Sequence, residues 1–401
     1  MKHALIRRKL ARVDKALDQA IAKSQAPGAV VLARMPREGE LLEHESVRGN
    51  AVLRPERIAM ARDTIFDLAS LTKPIVTATS LMLLAAEGRI DLDDPVAKVL
   101  PPFGERGKEA VTIRSLLTHT SGLKPWRPFH EALLERERKK GERLLGTPAA
   151  KEAILERIYR GALVHEPGEA AVYGDLDFIL LGAIVETVSG QSLDEFAAAR
   201  IFAPLGMTDT RFVRLGDGLL SRSESIIGLV GEGSEPELPD ALRRRFAATE
   251  NCPWRGRVLW GEVHDPNAWA MGGVAGHAGL FASADDVMRF AQAVIDAWHG
   301  RSDVFPREWL VHFLTKSDAP ANTTWALGWD TPTPGASSAG HYFSPTSVGH
   351  LGFTGTSLWI DLEREAAVVM LTNRVHLVAK RSKFELRAIV HDLVMESFLA
   401  E

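Results

Sequence analysis

One cysteine, Cys252, in 401 residues excludes an intrachain disulfide framework and any metal cluster held by cysteines alone. A strong excess of either charge is also missing. The formal net charge is −4, and the basic runs Arg136 to Lys140 and Arg243 to Arg245 are short and mixed with or flanked by acidic or apolar residues. They read as solvated surface, not as a site for nucleic acid or acidic lipid. The stretch Met1 to Leu10 lacks the apolar core of a secretory signal, and no unbroken apolar span of membrane length follows. The expectation is a cytoplasmic protein without a membrane segment. Internal repeats and low-complexity tracts are absent, as are a Gly-x-Gly-x-x-Gly fingerprint and a Gly-x-Ser-x-Gly elbow, which argues against a dinucleotide site and an α/β-hydrolase.

What remains is ordinary globular composition, 45% hydrophobic and 25% charged, enough for one large core or two modest ones. Residues 8 to 24 have helical periodicity. Ala29 to Ala33 and Leu41 to Arg48 then read as a strand pair joined by a turn at Gly39. From Ser70 to about Ala270 the pattern is mainly helical, including Ala149 to Tyr159, Phe178 to Ser189 and Leu193 to Ile201. Gly279 to Ala282 leads into a helix capped by Ser283. Thr356 to Asp361 and Ala366 to Thr372 read as paired strands, and a helix from about Lys380 to Leu399 closes the chain. Strands at both ends around a helical middle imply one sheet completed by the two termini. The expected parts are an α/β portion, 8–70 with 271–397, and a mainly helical portion, 71–270.

Ser70-Leu71-Thr72-Lys73 carries the chemistry. A serine three residues before a lysine on a helix lies one turn from it, so the amine can reach the hydroxyl. The pattern alone is weak, with roughly one chance match expected in a chain this long, and Ser121-Gly122-Leu123-Lys124 is a second copy. Context separates them. Ser70 stands where Ile65, Phe66 and Leu68 give way to a long apolar helix through Leu84, with Pro74 in its first turn, so helix N-terminal N–H groups can stabilise an oxyanion. The second copy contains Gly122 and is followed by Pro125, which reads as a loop. A plain N-cap serine is the alternative at Ser70.

Two further motifs follow in order. Tyr173-Gly174-Asp175 sets a phenol and a carboxylate before the apolar run Phe178 to Gly182, and His350-Leu351-Gly352-Phe353-Thr354-Gly355 precedes the strand at Thr356. With Ser70-x-x-Lys73 first, the chain resembles the serine β-lactamase and penicillin-binding-protein superfamily, in its class C β-lactamase, carboxypeptidase and esterase branch. Leu116 to Leu123, Asp93 to Val96 and Leu280 to Asp286 resemble further family segments, so the likeness spans residues 8 to 397. It implies an α+β, β-lactamase/transpeptidase-like fold: an antiparallel sheet from both termini flanked by helices, plus a mainly helical domain. It also implies that Ser70 is acylated, that Lys73 helps to deprotonate it and that Tyr173 relays protons to and from the leaving group, with the principal base left open between the last two. Backbone N–H groups of Ser70 and Phe353 would form the oxyanion hole. His350 stands where the family has a lysine and could hold the Tyr173 hydroxyl or a substrate oxygen.

Departures from the pattern narrow the substrate. Asp175 replaces the usual Asn, which places a carboxylate before Lys73 and tends to keep the amine protonated, giving weight to Tyr173 as base. Leu351 replaces a hydroxyl residue, and a neutral His350 recognises a carboxylate poorly, so weak or no β-lactam hydrolysis is expected. Thr249 to Cys252, Gly261 to Ala268 and Gly272 to Gly279 resemble a signature of the muropeptide-amidase-like branch, with Gly352, His264, Asp265 and His277 as candidate substrate-binding residues. His264, Asp265 and His277 could alternatively bind a metal, but no helical His-x-x-x-His spacing is present and the nucleophile needs none. The expectation is a serine hydrolase without cofactor, cleaving an amide or ester of a small-molecule or peptide substrate. Cell-wall muropeptides lead, with esterase side activity, and a catalytically idle sensor or scaffold is the competing reading.

Overall fold

In strand β1 (Gly28–Arg37) Val30 and Leu32 face one side while Val31 and Ala33 face the other, and all four are buried. A strand buried on both faces needs a layer of structure on each. The computed structural model describes residues 2–141, 143–215, 240–376 and 384–400. β1 turns back into β2 (Glu40–Val52) through Glu38 and Gly39, whose φ values of 55° and 82° are the left-handed pair that a tight hairpin needs. β3 (Ile58–Ala59) lies at the edge beyond β2.

The next strands are short: β4 (Phe66–Asp67), β5 (Arg211–Phe212), the hairpin β6 (Ala248–Cys252) and β7 (Arg257–Trp260), and β8 (Leu280–Ala282). β9 (Val348–Leu351), β10 (Ser357–Asp361) and β11 (Ala366–Thr372) complete the large sheet, whose order is β3-β2-β1-β11-β10-β9. β1 pairs antiparallel with β11, Ala29 opposite Thr372 and Ala33 opposite Val368, so both ends of the chain build one sheet as expected.

Helices Lys2–Ala22 and Leu386–Phe398 cover one face. Leu10, Val13, Leu17, Val390 and Val394 pack there on Val31, Val368, Met370 and Trp359. The other face carries Ala284–Trp298 and the helical middle. That middle is not wholly helical. It supplies β5, which pairs with the distant β8 in a three-stranded sheet, β4-β8-β5, and the local β6–β7 hairpin. The closing helix is described from Leu386; residues 380–383 of the expected helix lie outside the described residues, as do 216–239 of the middle.

The sheet places the chemistry. β4 pairs with β8 and ends two residues before Ala69, so the segment carrying Ser70 leaves directly from a buried strand. One stretch, Ala69–Ala86, is after all long and apolar enough to cross a membrane by length and composition, but 89% of it is buried inside the protein and it carries Lys73. It is not one continuous α-helix. A 3₁₀ turn at Ala69–Leu71 leads into a π segment at Lys73–Ala78 and then α-helix at Thr79–Ala86, and the carbonyl of Pro74 accepts from the Thr79 hydroxyl at 2.9 Å. Such wide turns are common where function requires side chains at special angles.

Gly349 faces Trp359 across β9 and β10, and a Cβ on it would lie 2.3 Å from the indole and 2.6 Å from the Leu358 carbonyl oxygen. Trp359 is fully buried and cannot yield cheaply. Gly349→Ala is expected to cost about 1–3 kcal/mol, read as a lower urea midpoint at unchanged m-value.

Candidate active site

Asp67 at the end of β4 is buried, and its two carboxylate oxygens accept from Ala69 N–H at 2.8 Å and His264 N–H at 2.6 Å. That hold matters because Ala69 has φ of 48°, a left-handed conformation costly for a residue other than glycine. The Thr72 hydroxyl donates to the Ala69 carbonyl at 2.7 Å and accepts from Leu280 N–H at 3.1 Å, closing the turn on β8. Ser70 is thus presented on a strained, fully tied turn. Burial pushes the Asp67 carboxyl above its usual range, although its bonds to His264 and Ala69 oppose that.

Lys73 has no exposed surface. Its ammonium donates to Ser70 Oγ at 3.0 Å, Asp175 Oδ1 at 2.8 Å and the His277 carbonyl at 3.1 Å. Burial alone would lower its pKa, but the charge of Asp175, with the hydrogen bond to it, outweighs burial and holds it above the ordinary lysine value. The second serine-lysine copy is a loop, where Ser121 bonds to Asp177 and Lys124 is exposed.

Tyr173 sits in an aromatic cage. It stacks on Trp325 with ring centroids 5.5 Å apart, lies 4.8 Å from the His119 ring and 5.8 Å from the His350 ring, and has the Lys73 ammonium 4.9 Å from its centroid. Burial raises its pKa and Lys73 and Ser70 pull against that, so the resting side chain is the neutral phenol. The residue as a whole keeps 39% exposure.

His350 is buried and neutral, its pKa lowered to about 3 by burial and then by Lys73. Nδ1 lies 2.8 Å from the Leu351 carbonyl, which can only accept, so that nitrogen carries the proton and Nε2, buried without a partner among the described residues, is a lone pair. Gly352 is needed for close approach: a Cβ there would lie 2.4 Å from the Leu68 carbonyl oxygen. Thr354 and Thr356 hydroxyls donate to the Asp67 and Leu68 carbonyls at 2.7 and 3.1 Å, which fixes the Gly352–Gly355 turn beside the Ser70 segment. Phe353 is 54% exposed, stacks on His264 at 5.4 Å, and its N–H donates to no group among the described residues.

Asp265 caps the Pro266–Ala270 helix and meets His277 Nε2 at 2.9 Å. Burial works against its charge, but His277 and the cap hold it well below the usual carboxylate range. Ligand atoms of Asp175, Asp265 and His277 lie within 4.8 Å of one another, the spacing of a possible cation site. Lys73 already supplies a positive charge to Asp175, so one of the two carboxylates is paired within the protein. A cavity of about 630 Å³ is lined by Arg127, Phe129, Glu131, Arg157 and Arg160, and none of Asp175, Asp265 and His277 stands in its wall.

Sequence reasoning missed Trp325, which lies in a loop without periodicity, and the roles of Asp67, His119 and Asp177. His119 did stand inside the quoted Leu116 to Leu123 segment, and Asp67 flanks the serine motif. His119 Nδ1 accepts from Gly174 N–H at 3.3 Å and lies 3.1 Å from Asp177 Oδ2. A lone pair on Nδ1 requires the shared proton to sit on the carboxyl, and burial indeed pushes Asp177 up to about 8 and His119 down to about 3.

The fold, with Ser70, Lys73 and Tyr173 brought together, is of the β-lactamase and transpeptidase type, a class of serine hydrolases. The chain belongs to the β-lactamase family, whose sequence profile, Beta-lactamase, matches residues 13–392. A putative D-alanyl-D-alanine carboxypeptidase of Escherichia coli (strain K12) is 33% identical over 344 residues, covering 81% of this chain and 73% of that protein. Among solved structures, EstCE1, a hydrolase with promiscuous acyltransferase activity, superposes with a TM-score of 0.69 at 22% identity, covering 97% of this chain and 99% of the other. A class C β-lactamase gives 0.69 at 17% identity and 99% of both chains. These two establish the likeness of fold.

Asp177→Asn mimics the protonated acid, accepting from Ser121 and donating to His119 Nδ1. A carboxyl raised from 3.8 to about 8 keeps its proton in the folded chain while the unfolded chain loses it, so it erodes stability as pH rises between those values. The variant is expected to lose less melting temperature than wild type between pH 5 and 8, and to melt no lower than wild type at pH 8, by scanning fluorimetry.

Proposed function

We propose that the chain hydrolyses an amide or ester through an acyl-enzyme on Ser70, with cell-wall muropeptides or related peptides as the leading substrate class and short esters as a side activity. The observation that carries this is the three-way bond of Lys73 to Ser70, Asp175 and the His277 carbonyl. An ammonium that donates to Ser70 Oγ leaves the hydroxyl proton free to turn toward Tyr173, and it stabilises negative charge growing on Oγ. Ser70 Oγ then bonds to the substrate carbonyl carbon, its proton passes to the Tyr173 oxygen, and the Tyr173 proton passes to the leaving nitrogen or oxygen as that bond breaks. Water regenerates the serine by the reverse relay. The phenol's raised pKa suits this neutral relay. Ser70 and Phe353 N–H groups would hold the carbonyl oxygen.

Asp175, His350 Nε2 and Asp265 offer acceptors where a carboxylate-recognising site would offer donors. This supports a substrate that presents an amide N–H, hydroxyl or amine near the scissile bond, and weak β-lactamase activity. Intact mass should gain one fluorophosphonate adduct, lost in Ser70→Ala, and that variant should lose about 10³-fold or more in kcat on p-nitrophenyl esters and muramyl-L-alanine peptides. Unchanged mass and full turnover in Ser70→Ala would overturn the reading in favour of a binding role.

Lys73 held above its ordinary value is protonated throughout neutral pH, so kcat/KM is expected to be flat from pH 6 to 9 with respect to this group. In Asp175→Asn the chief raising charge is gone and burial lowers the pKa. The alkaline loss of activity then moves down into the measured window, in a pH-rate profile of ester hydrolysis.

A further inference from the structure

The Gly352–Phe353 peptide is gripped at its oxygen by a buried cation. The Gly352 carbonyl accepts from the Arg387 guanidinium and, at 3.0 Å, from Gly355 N–H. Arg387 stands in the Leu386–Phe398 helix, is buried, and forms no ion pair with a carboxylate among the described residues. Its Nε is buried without a partner among them, and the Phe384 ring lies 5.3 Å from the guanidinium carbon. Burial, then the neighbouring cation Arg374, push its pKa down to about 9. A guanidinium kept out of water beside another cation is costly, and the fold nevertheless aims it at this carbonyl.

That carbonyl belongs to the same amide as the Phe353 N–H, which donates to no group among the described residues and sits on the turn tied to Asp67 and Leu68. We propose that Arg387 is a positioning residue of the oxyanion hole: its positive charge on the Gly352 oxygen polarises the Gly352–Phe353 amide and strengthens the Phe353 N–H as donor to the substrate carbonyl oxygen. The inference rests on the reading of Ser70 as the acylated serine and Phe353 as an oxyanion donor. Withdrawing electron density at the oxygen raises the carbon–nitrogen double-bond character and makes the N–H more acidic. Low dielectric around a buried bond magnifies the effect, and a bond at one end of a peptide strengthens a bond at the other. Arg374 provides the contrast, because its Nε donates at 3.1 Å to the carbonyl of Phe353, one peptide further on.

The test is the infrared carbonyl band of an acyl-enzyme made with a ¹³C-carbonyl p-nitrophenyl ester, together with kcat and KM. In Arg387→Gln the acyl band is expected to move to higher frequency, and kcat to fall about 10- to 100-fold with KM within about twofold, a fraction of what a whole oxyanion donor supplies. A merely structural role would lower the melting temperature and leave the band in place. If the Gln variant lacks a cooperative melt, Arg387→Lys takes its place: the shorter ammonium weakens the contact, so an intermediate shift is expected and a wild-type band overturns the inference. An acylated, folded Arg387→Gln with wild-type band and kcat overturns it alone, as does an equal shift in Arg374→Gln. A wild-type chain that never acquires an acyl band at Ser70 overturns the acyl-enzyme reading and this inference with it.

Discussion

Removing the Lys73 ammonium from water costs several kcal/mol unless each of its protons finds an acceptor and its charge a partner. Ser70 Oγ, Asp175 Oδ1 and the His277 carbonyl are those acceptors, and Asp175 is the partner. They come from one turn away, 102 residues away and 204 residues away. The buried charge therefore does structural work as well as chemical work. It fastens the start of the Asp175–Ser189 helix and the Gly276–Gly279 strap to the serine segment, and each must be in place before the lysine is tolerable. The Thr77 hydroxyl on the Gly276 carbonyl at 2.7 Å repeats the fastening one turn further along.

The second constraint is the strain at Ala69. A left-handed residue just before the proposed nucleophile persists because Asp67, Thr72 and β8 over-determine the turn. The same Asp67 carboxylate reaches His264, and its carbonyl takes the Thr354 hydroxyl. One buried acid thus joins the turn that presents Ser70, the ring that backs Phe353 and the turn that carries the Phe353 N–H. The large sheet makes this possible. β9 and β10 lie on the edge nearest the Ser70 segment only because β11 is zipped to β1, so pairing of the chain's two ends sets the position of a peptide near the middle of its last hundred residues.

Much of this was legible because it is written in local pattern. The β1–β2 hairpin follows from the short apolar run Ala29 to Ala33, the segment Leu41 to Arg48 and Gly39 between them, and the Asp175–Ser189 helix from the apolar run that begins at Phe178. Ser70, Lys73, Tyr173 and His350 stand out in the sequence because their spacing and order repeat a family's, and the structure brings all four side chains to one place. What escaped has no local signature. Trp325 reaches Tyr173 from a loop, and the π segment at Lys73 depends on tertiary bonds to Gly276 and Leu280 that spacing cannot reveal. The proton shared by Asp177 and His119 was equally hidden, since a histidine and an aspartate 58 residues apart give no hint that both will be buried and neutral.

The departures at Asp175 and Leu351 gain sense from these contacts. An amide at position 175 could not neutralise Lys73, so with Asn there a buried amine would tend to lose its proton and with it the positive charge beside Ser70. With Asp the proton stays, and Lys73 becomes a fixed positive charge under Ser70. Proton carriage then falls to a group that can give and take at once, and the neutral, caged phenol of Tyr173 is placed to do so. Leu351 and the lone pair on His350 Nε2 remove donors from the same wall, so one change of charge and one loss of hydroxyl act in the same direction. A site altered in this concerted way keeps the acylation machinery proposed for Ser70 and fits the proposed turn of recognition from anions toward hydrogen-bond donors, which is how retuned specificity differs from loss of function.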